Sequence, residues 1–144
     1  MSDAKDTQQK SILLRALGEV RENVPLKDCT TYRIGGPAVY FYEAKNTKDI
    51  IKAVAAAKEA GLPHFILGGG ANVLVSDDGF GGLVIHLATN ELRFEDGKAY
   101  ADAGVNLTRL ATGSVKADLT GLEWLAGIPG TVGGAIRGNA GAWG

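Results

Sequence analysis

The chain of 144 residues is 45% hydrophobic and 22% charged with a net charge of -1, a balance typical of folded globular proteins and a size for one domain or two small lobes sharing a ligand. So small a charge gives no electrostatic footprint for nucleic acid or an anionic membrane, and neither is expected as a partner. One cysteine, Cys29, excludes an internal disulfide or a thiolate cluster, and two histidines, His64 and His86, outside any HExxH spacing give no reason to expect a metal.

The start, Ser2-Asp3-Ala4-Lys5-Asp6, is polar, and no apolar run is long enough to span a bilayer, so a cytoplasmic location is expected. From Gln8 to Glu22, Ile12, Leu13, Ala16, Leu17 and Val20 fall on one helical stripe, and Asn23 and Pro25 are expected to stop that helix. Val24 to Cys29 reads as extended. Thr30-Thr31-Tyr32-Arg33-Ile34-Gly35-Gly36-Pro37 then sets a fixed cation beside a flexible turn, which suits either a diphosphate or a solvated surface arginine. Val39–Ala44 is rich in strand formers. Thr47 reads as the N-cap of a helix that Gly61 ends, and His64–Leu67 as the next strand, which together make a βαβ-like unit.

That strand delivers Leu67-Gly68-Gly69-Gly70-Ala71-Asn72-Val73-Leu74-Val75, three glycines and an amide between two strand-like runs. Glycine favours neither strand nor helix, but it allows successive N–H groups to approach a bulky anion, so a phosphate group is the expected guest, with a plain tight turn as the alternative. The spacing is not that of a dinucleotide fingerprint, since Val73 stands where the third glycine would fall, and the Gly-Lys-Ser/Thr of a Walker loop is missing. After the turn-rich Ser76–Gly82, Leu83–Leu87 reads as a strand, with His64 and His86 as structural rather than catalytic.

A break near Ala88–Glu91 separates the expected lobes, 24–88 and 89–144, with 1–23 as the N-terminal helix. Asp96-Gly97 between two extended runs signals a hairpin, and Asn106 the N-cap of a helix reaching about Ala117. Thr120–Ala126 starts a short helical turn that Ile128-Pro129 breaks. Local strand pairing without regular alternation indicates an α+β fold. Seven of the last eighteen residues are glycine, with no closing helix or polar cap, so the chain is expected to be a piece of a longer protein.

Four blocks, Thr31–Pro37, Leu67–Val75, Thr120–Glu123 with Gly127–Ala135, and Asn139-Ala140-Gly141-Ala142-Trp143-Gly144, occur in the order and spacing of the UDP-N-acetylenolpyruvoylglucosamine reductase family, which the chain resembles from about Val24 onward. The resemblance implies a two-lobed FAD-binding module of the vanillyl-alcohol-oxidase type with FAD between the lobes and NADPH as electron donor. It implies that Gly68, Gly69, Gly70, Ala71 and Asn72 hold the pyrophosphate and that Tyr32, Arg33, Ile34, Gly35 and Gly36 lie near the flavin. Gly127, Ile128, Pro129, Gly130, Thr131, Gly133, Gly134 and Ala135, with Asn139, Ala140 and Gly141, would wrap the other side of the cofactor.

Ala71 stands where the family usually has serine, Trp143 replaces a commoner tyrosine and Arg137 a hydrophobic residue. The family's substrate arginine, proton-donating serine and glutamate would all lie beyond Gly144, so no catalytic residue is assigned, and the UDP-sugar substrate is expected only with that missing domain. Another flavin oxidase or dehydrogenase of the same superfamily, and a non-enzymatic nucleotide-binding module, stand as alternatives.

Overall fold

Strand alternation decides how the first sheet is covered in the computed structural model, which describes residues 2–141. The first elements are α1 (Ser2–Leu17), β1 (Arg21–Pro25), a 3-10 turn at Leu26–Cys29, β2 (Pro37–Ala44), α2 (Thr47–Glu59), β3 (His64–Leu67) and β4 (Phe80–Leu87). The sheet order is β1-β2-β4-β3, with β1 antiparallel to β2 and β4 parallel to both β2 and β3. The β2–α2–β3 unit therefore steps over one position, and β4 fills the gap.

On one face Tyr40, Ala44, Leu83 and Ile85 meet Leu13 of α1 and Ala53, Ala56 and Ala57 of α2. Their neighbours Phe41 and Val84 point the other way, with Leu67 and with Leu26 of the 3-10 turn. Burying a leucine as fully as Leu13 contributes ~1.5–3 kcal/mol. Gln9, also buried, donates from Nε2 to the Ala60 carbonyl at 3.1 Å, which ties α1 to the end of α2.

Several boundaries differ from the sequence reading. α1 ends at Leu17, because Gly18 turns left-handed (φ +81) and its N–H closes on Leu14 O at 2.9 Å; the residues expected to prolong the helix pair instead as β1. The cap of α2 is Asn46 rather than Thr47. The Asn46 side chain accepts from Asp49 N at 3.0 Å, and the Asp49 carboxylate accepts in return from Lys45 N and Asn46 Nδ2. Val73–Val75 is not a strand; the whole of 68–79 is an irregular crossover whose Val73 and Val75 pack under the sheet.

The second set comprises the β5 (Leu92–Glu95) and β6 (Lys98–Ala101) hairpin, α3 (Leu107–Lys116), a 3-10 turn at Glu123–Gly127 and α4 (Val132–Gly138). Asp96 and Gly97 both have positive φ, as a two-residue hairpin turn requires. Asn106 caps α3 by accepting from Arg109 N at 3.2 Å, and Leu107, Leu110 and Ala111 bury against Val105 and Leu125.

Composition did not reveal α4, since three of its seven residues are glycine, each costing ~1 kcal/mol relative to alanine in a helix. Tertiary bonds override that cost. Leu107 N donates to Gly130 O at 3.1 Å, Val132 N to Val105 O at 2.9 Å and Gly133 N to Ala103 O at 2.8 Å, so the first turn is strapped to the entry of α3. Thr131 caps it, and Asn139, left-handed at φ 47, ends it. Ala142, Trp143 and Gly144 lie outside the described residues. Among the described residues no helix is long and apolar enough to cross a membrane.

Candidate functional site

The carboxyl ends of parallel strands are where α/β sheets open toward ligands. Here Gly68 and Gly69 follow β3, His86 lies near the end of β4, and the segment from Lys27 to Arg33 crosses in front of them. Lys27, Asp28, Cys29, Thr30, Thr31, Arg33, Gly68, Gly69 and His86 enclose a cleft of about 700 Å³. A second, apolar hollow of about 180 Å³, lined by residues such as Phe65, Leu67, Leu74 and Phe80, offers no charged group to an anion.

The walls of the cleft are loops interlocked by glycine. Gly70 is buried and left-handed (φ +63), and a Cβ there would lie 2.0 Å from the Cys29 carbonyl oxygen. Its own carbonyl accepts from Thr31 N at 3.0 Å, which binds the 27–33 segment to the glycine loop. Gly36 is pressed in the same way against the crossover: a Cβ would come 2.0 Å from Asp77 O, and its N–H donates to Ser76 O at 2.8 Å. Arg33 takes a left-handed conformation (φ 54), and its N–H closes a turn on Thr30 O at 3.2 Å.

With the loops so fixed, no acceptor among the described residues takes the N–H groups of Gly69, Gly70, Ala71 or Asn72. Of these four residues Gly69 lines the cleft, and Gly70, Ala71 and Asn72 lie outside its lining. Two cations border it. Among the described residues the ion pairs involve Lys10, Arg15, Arg21 and Arg93, and neither Lys27 nor Arg33 is engaged. Lys27 and Arg33 are the side chains of the cleft that can pair with an anion, and Asp28 opposes them.

Two other polar groups of the cleft, His86 and Cys29, are uncharged at neutral pH, whereas Asp28 brings an acidic side chain to the same wall. Burial holds the His86 imidazole below its ordinary value, with Arg21 acting in the same direction and Glu43 against it, so the ring is neutral. It packs at 5.7 Å from the Phe41 ring, on which the Arg21 guanidinium is stacked at 4.6 Å. Burial likewise pushes the Cys29 thiol up, leaving it protonated.

Of the residues singled out in the sequence, Arg33, Gly68 and Gly69 line the cleft. Tyr32 and Ile34, on either side of Arg33, are 60% and 49% exposed, so two large side chains stand free beside it. Gly35 and Gly36 pack against the crossover instead of lining the cleft, with Val75 opposite Gly35. The second block meets the first directly: Thr131 faces Gly68 and Gly69, Gly130 faces Ala71, and Gly138 faces Asn72.

The rest of that block is structural in its surroundings. Ile128 and Ala135 pack on the second core, Gly133 abuts Ala103, and Thr131 Oγ1 accepts from Gly134 N at 3.3 Å. Among the described residues nothing lies within 4 Å of a Cβ position on Gly127 or Gly141, Pro129 is exposed, and Ala140 N returns to Ala135 O at 2.9 Å. Lys27, Asp28, Cys29 and His86 were not anticipated as lining residues. His86 had a signal, because alternation from Val84 puts it on the face opposite the helices; Lys27, in a 3-10 turn, had none.

Comparison with known proteins gives the family. Residues 38–144 match the family described as FAD binding domain. The chain is 41% identical over 148 aligned residues to UDP-N-acetylenolpyruvoylglucosamine reductase of Synechococcus sp. (strain JA-3-3Ab), covering 100% of this chain and 47% of that relative. It is 45% identical to the reductase of Solibacter usitatus, covering 87% of this chain and 40% of that one. The crystal structure of the reductase from Thermus caldophilus aligns with a TM-score of 0.69 at 38% identity, over 86% of this chain and 44% of that one. p-Cresol methylhydroxylase aligns with a TM-score of 0.53 at 14% identity, over 81% and 25% of the two chains, which speaks to fold alone. The chain thus spans less than half the length of these relatives. With its α+β fold, it belongs to the FAD binding domain family, with FAD as its cofactor.

Proposed function

We propose that the chain is the FAD-holding part of an NADPH-dependent reductase that converts the enolpyruvyl ether of UDP-N-acetylglucosamine to UDP-N-acetylmuramate in the cytoplasm. What carries the proposal is the cleft lined by Lys27, Arg33, Gly68 and Gly69, next to a loop whose Gly69–Asn72 N–H groups have no acceptor among the described residues, in a chain more than 40% identical to such reductases. The free Cys29 suits a reducing compartment.

When bound, FAD supplies the hydride chemistry. The chain's own residues have other tasks. The Gly69–Asn72 donors and the two cations bind and orient the diphosphate, while the interlocked glycine loops keep those donors from collapsing onto carbonyl groups of the protein. His86 adds a neutral polar edge, which neither repels the anion nor adds charge. No residue in the described cleft is assigned to protonate a substrate, and we infer that substrate binding and proton donation belong to the half of the relatives' length that these residues do not cover.

The test is a titration followed by turnover. The 144-residue chain is expected to bind FAD in preference to FMN, since the glycine loop and the second-lobe segment facing it offer more to a dinucleotide; equal affinities would overturn this reading. NADPH oxidation that depends on the enolpyruvyl sugar nucleotide is expected only from the full-length form. Turnover by the 144 residues at a comparable rate would return catalysis to this cleft.

A further inference from the structure

Gly68 and Thr131 compete for one space. A Cβ on Gly68 would lie 2.5 Å from Thr131 Oγ1 and 3.7 Å from its Cβ and Cγ2, and a Cβ on Gly69 would touch the same methyl group at 3.5 Å. Thr131 is 8% exposed. Its hydroxyl caps α4 through Gly134 N, and the backbone on either side is held by Leu107 N to Gly130 O and Val132 N to Val105 O. The contact joins the two glycine-rich blocks, and the free N–H groups begin one residue further on.

We propose that Thr131 is a positioning residue: its side chain fills the place of the missing Gly68 Cβ, sets the separation of the two glycine-rich blocks, and so aims the Gly69–Asn72 donors at the cofactor. This rests on the cleft's being the FAD site. It assigns Gly68 a different reason from the one its motif implies, since the residue is glycine for the sake of Thr131 and not for the sake of a phosphate.

The test is a double-mutant cycle in the 144-residue chain with Gly68→Ala, Thr131→Ala and the pair together. It is read by thermal melting without FAD, by FAD affinity, and by the visible circular dichroism of the bound flavin. Gly68→Ala is expected to lower both the melting temperature and the affinity, and the pair to recover FAD affinity over Gly68→Ala by on the order of tenfold. Thr131→Ala alone should alter the flavin dichroism, and Thr131→Ser, which keeps the hydroxyl, should restore it. If Gly68→Ala does not fold, folding of the pair is itself the rescue. The proposal is overturned if the two substitutions act independently, or if Gly68→Ala loses FAD while melting like the parent. If the parent binds no FAD, the assignment of the cleft fails and the positioning role falls with it, whereas the melting cycle separately shows whether the packing contact is real.

Discussion

The glycine loop after β3 and the glycine-rich run before α4 are alike in composition and unlike in what their glycines do. In the loop, Gly68 and Gly70 are hemmed in by the chain itself, by Thr131 and by the Cys29 carbonyl, the backbone stays irregular, and the N–H groups of Gly69 to Asn72 have no acceptor among the described residues. In the run, tertiary bonds draw the backbone into a helix, the N–H groups of Val132 to Ala135 are used within the protein, and no other described residue comes within 4 Å of a Cβ position on Gly127. A glycine-rich stretch can therefore present donors or hide them. The outcome depends on which neighbours hold its carbonyl groups.

The largest effect is expected where the loop is tightest. Gly70→Val puts a branched side chain at a left-handed φ and within 2.0 Å of a carbonyl oxygen, which should cost ~3 kcal/mol or more. Thermal melting should show a drop of many degrees together with lost FAD binding; a variant that melts like the parent would show that the Cys29–Gly70 contact does not hold the loop.

Next come the cations at the cleft. Lys27→Ala and Arg33→Ala are each expected to weaken FAD binding roughly fivefold, about 1 kcal/mol for an exposed charge, and more at low salt than at high. Isothermal titration at two ionic strengths decides. An unchanged salt dependence in the double variant would leave the backbone N–H groups as the only anion contact.

A smaller effect concerns pH. His86 is held below the ordinary value of 6.5, so in the folded chain it stays neutral while the unfolded chain takes up a proton. Its contribution is fully present above that pH and is lost as pH falls below it. Denaturant melts between pH 7.5 and 5.5 should therefore show a fall in stability that His86→Asn makes shallower; equal slopes for the two proteins would place the pH dependence elsewhere.

Most elements were legible in the sequence where a local signal stood alone. Asp96-Gly97, the Asn106 cap and the Gly61 stop are each carried by one or two residues whose chemistry allows few alternatives. Only Val24 and Pro25 of β1 were legible as extended, because Arg21 and Glu22 continued a helical stripe although Gly18 already carried the stop, and Leu26–Cys29, expected to extend that strand, folds into a 3-10 turn. α4 was hidden because its helix forms through bonds to Ala103 and Val105, thirty residues away in the chain, which no local propensity encodes. The cleft was half legible. The glycines suggested a phosphate site and Arg33 either a diphosphate partner or a solvated surface, whereas Lys27 and His86 reach the same space only because the 3-10 turn and β4 are brought beside β3.

The smallest change tests the other side of the comparison. Gly127 ends a 3-10 turn, is exposed, and has no neighbour among the described residues within 4 Å of a Cβ, nor does its backbone occupy the left-handed region. Nothing among the described residues requires glycine there. Gly127→Ala should then stabilise the chain without FAD by ~0.4–1 kcal/mol through the less flexible unfolded state. If the residue is glycine because the cofactor approaches it, the same variant should bind FAD several-fold more weakly, so that melting temperature and affinity move in opposite directions. A gain in stability with unchanged affinity would remove Gly127 from the site and confine cofactor contact in the second block to the segment that faces Gly68, Ala71 and Asn72.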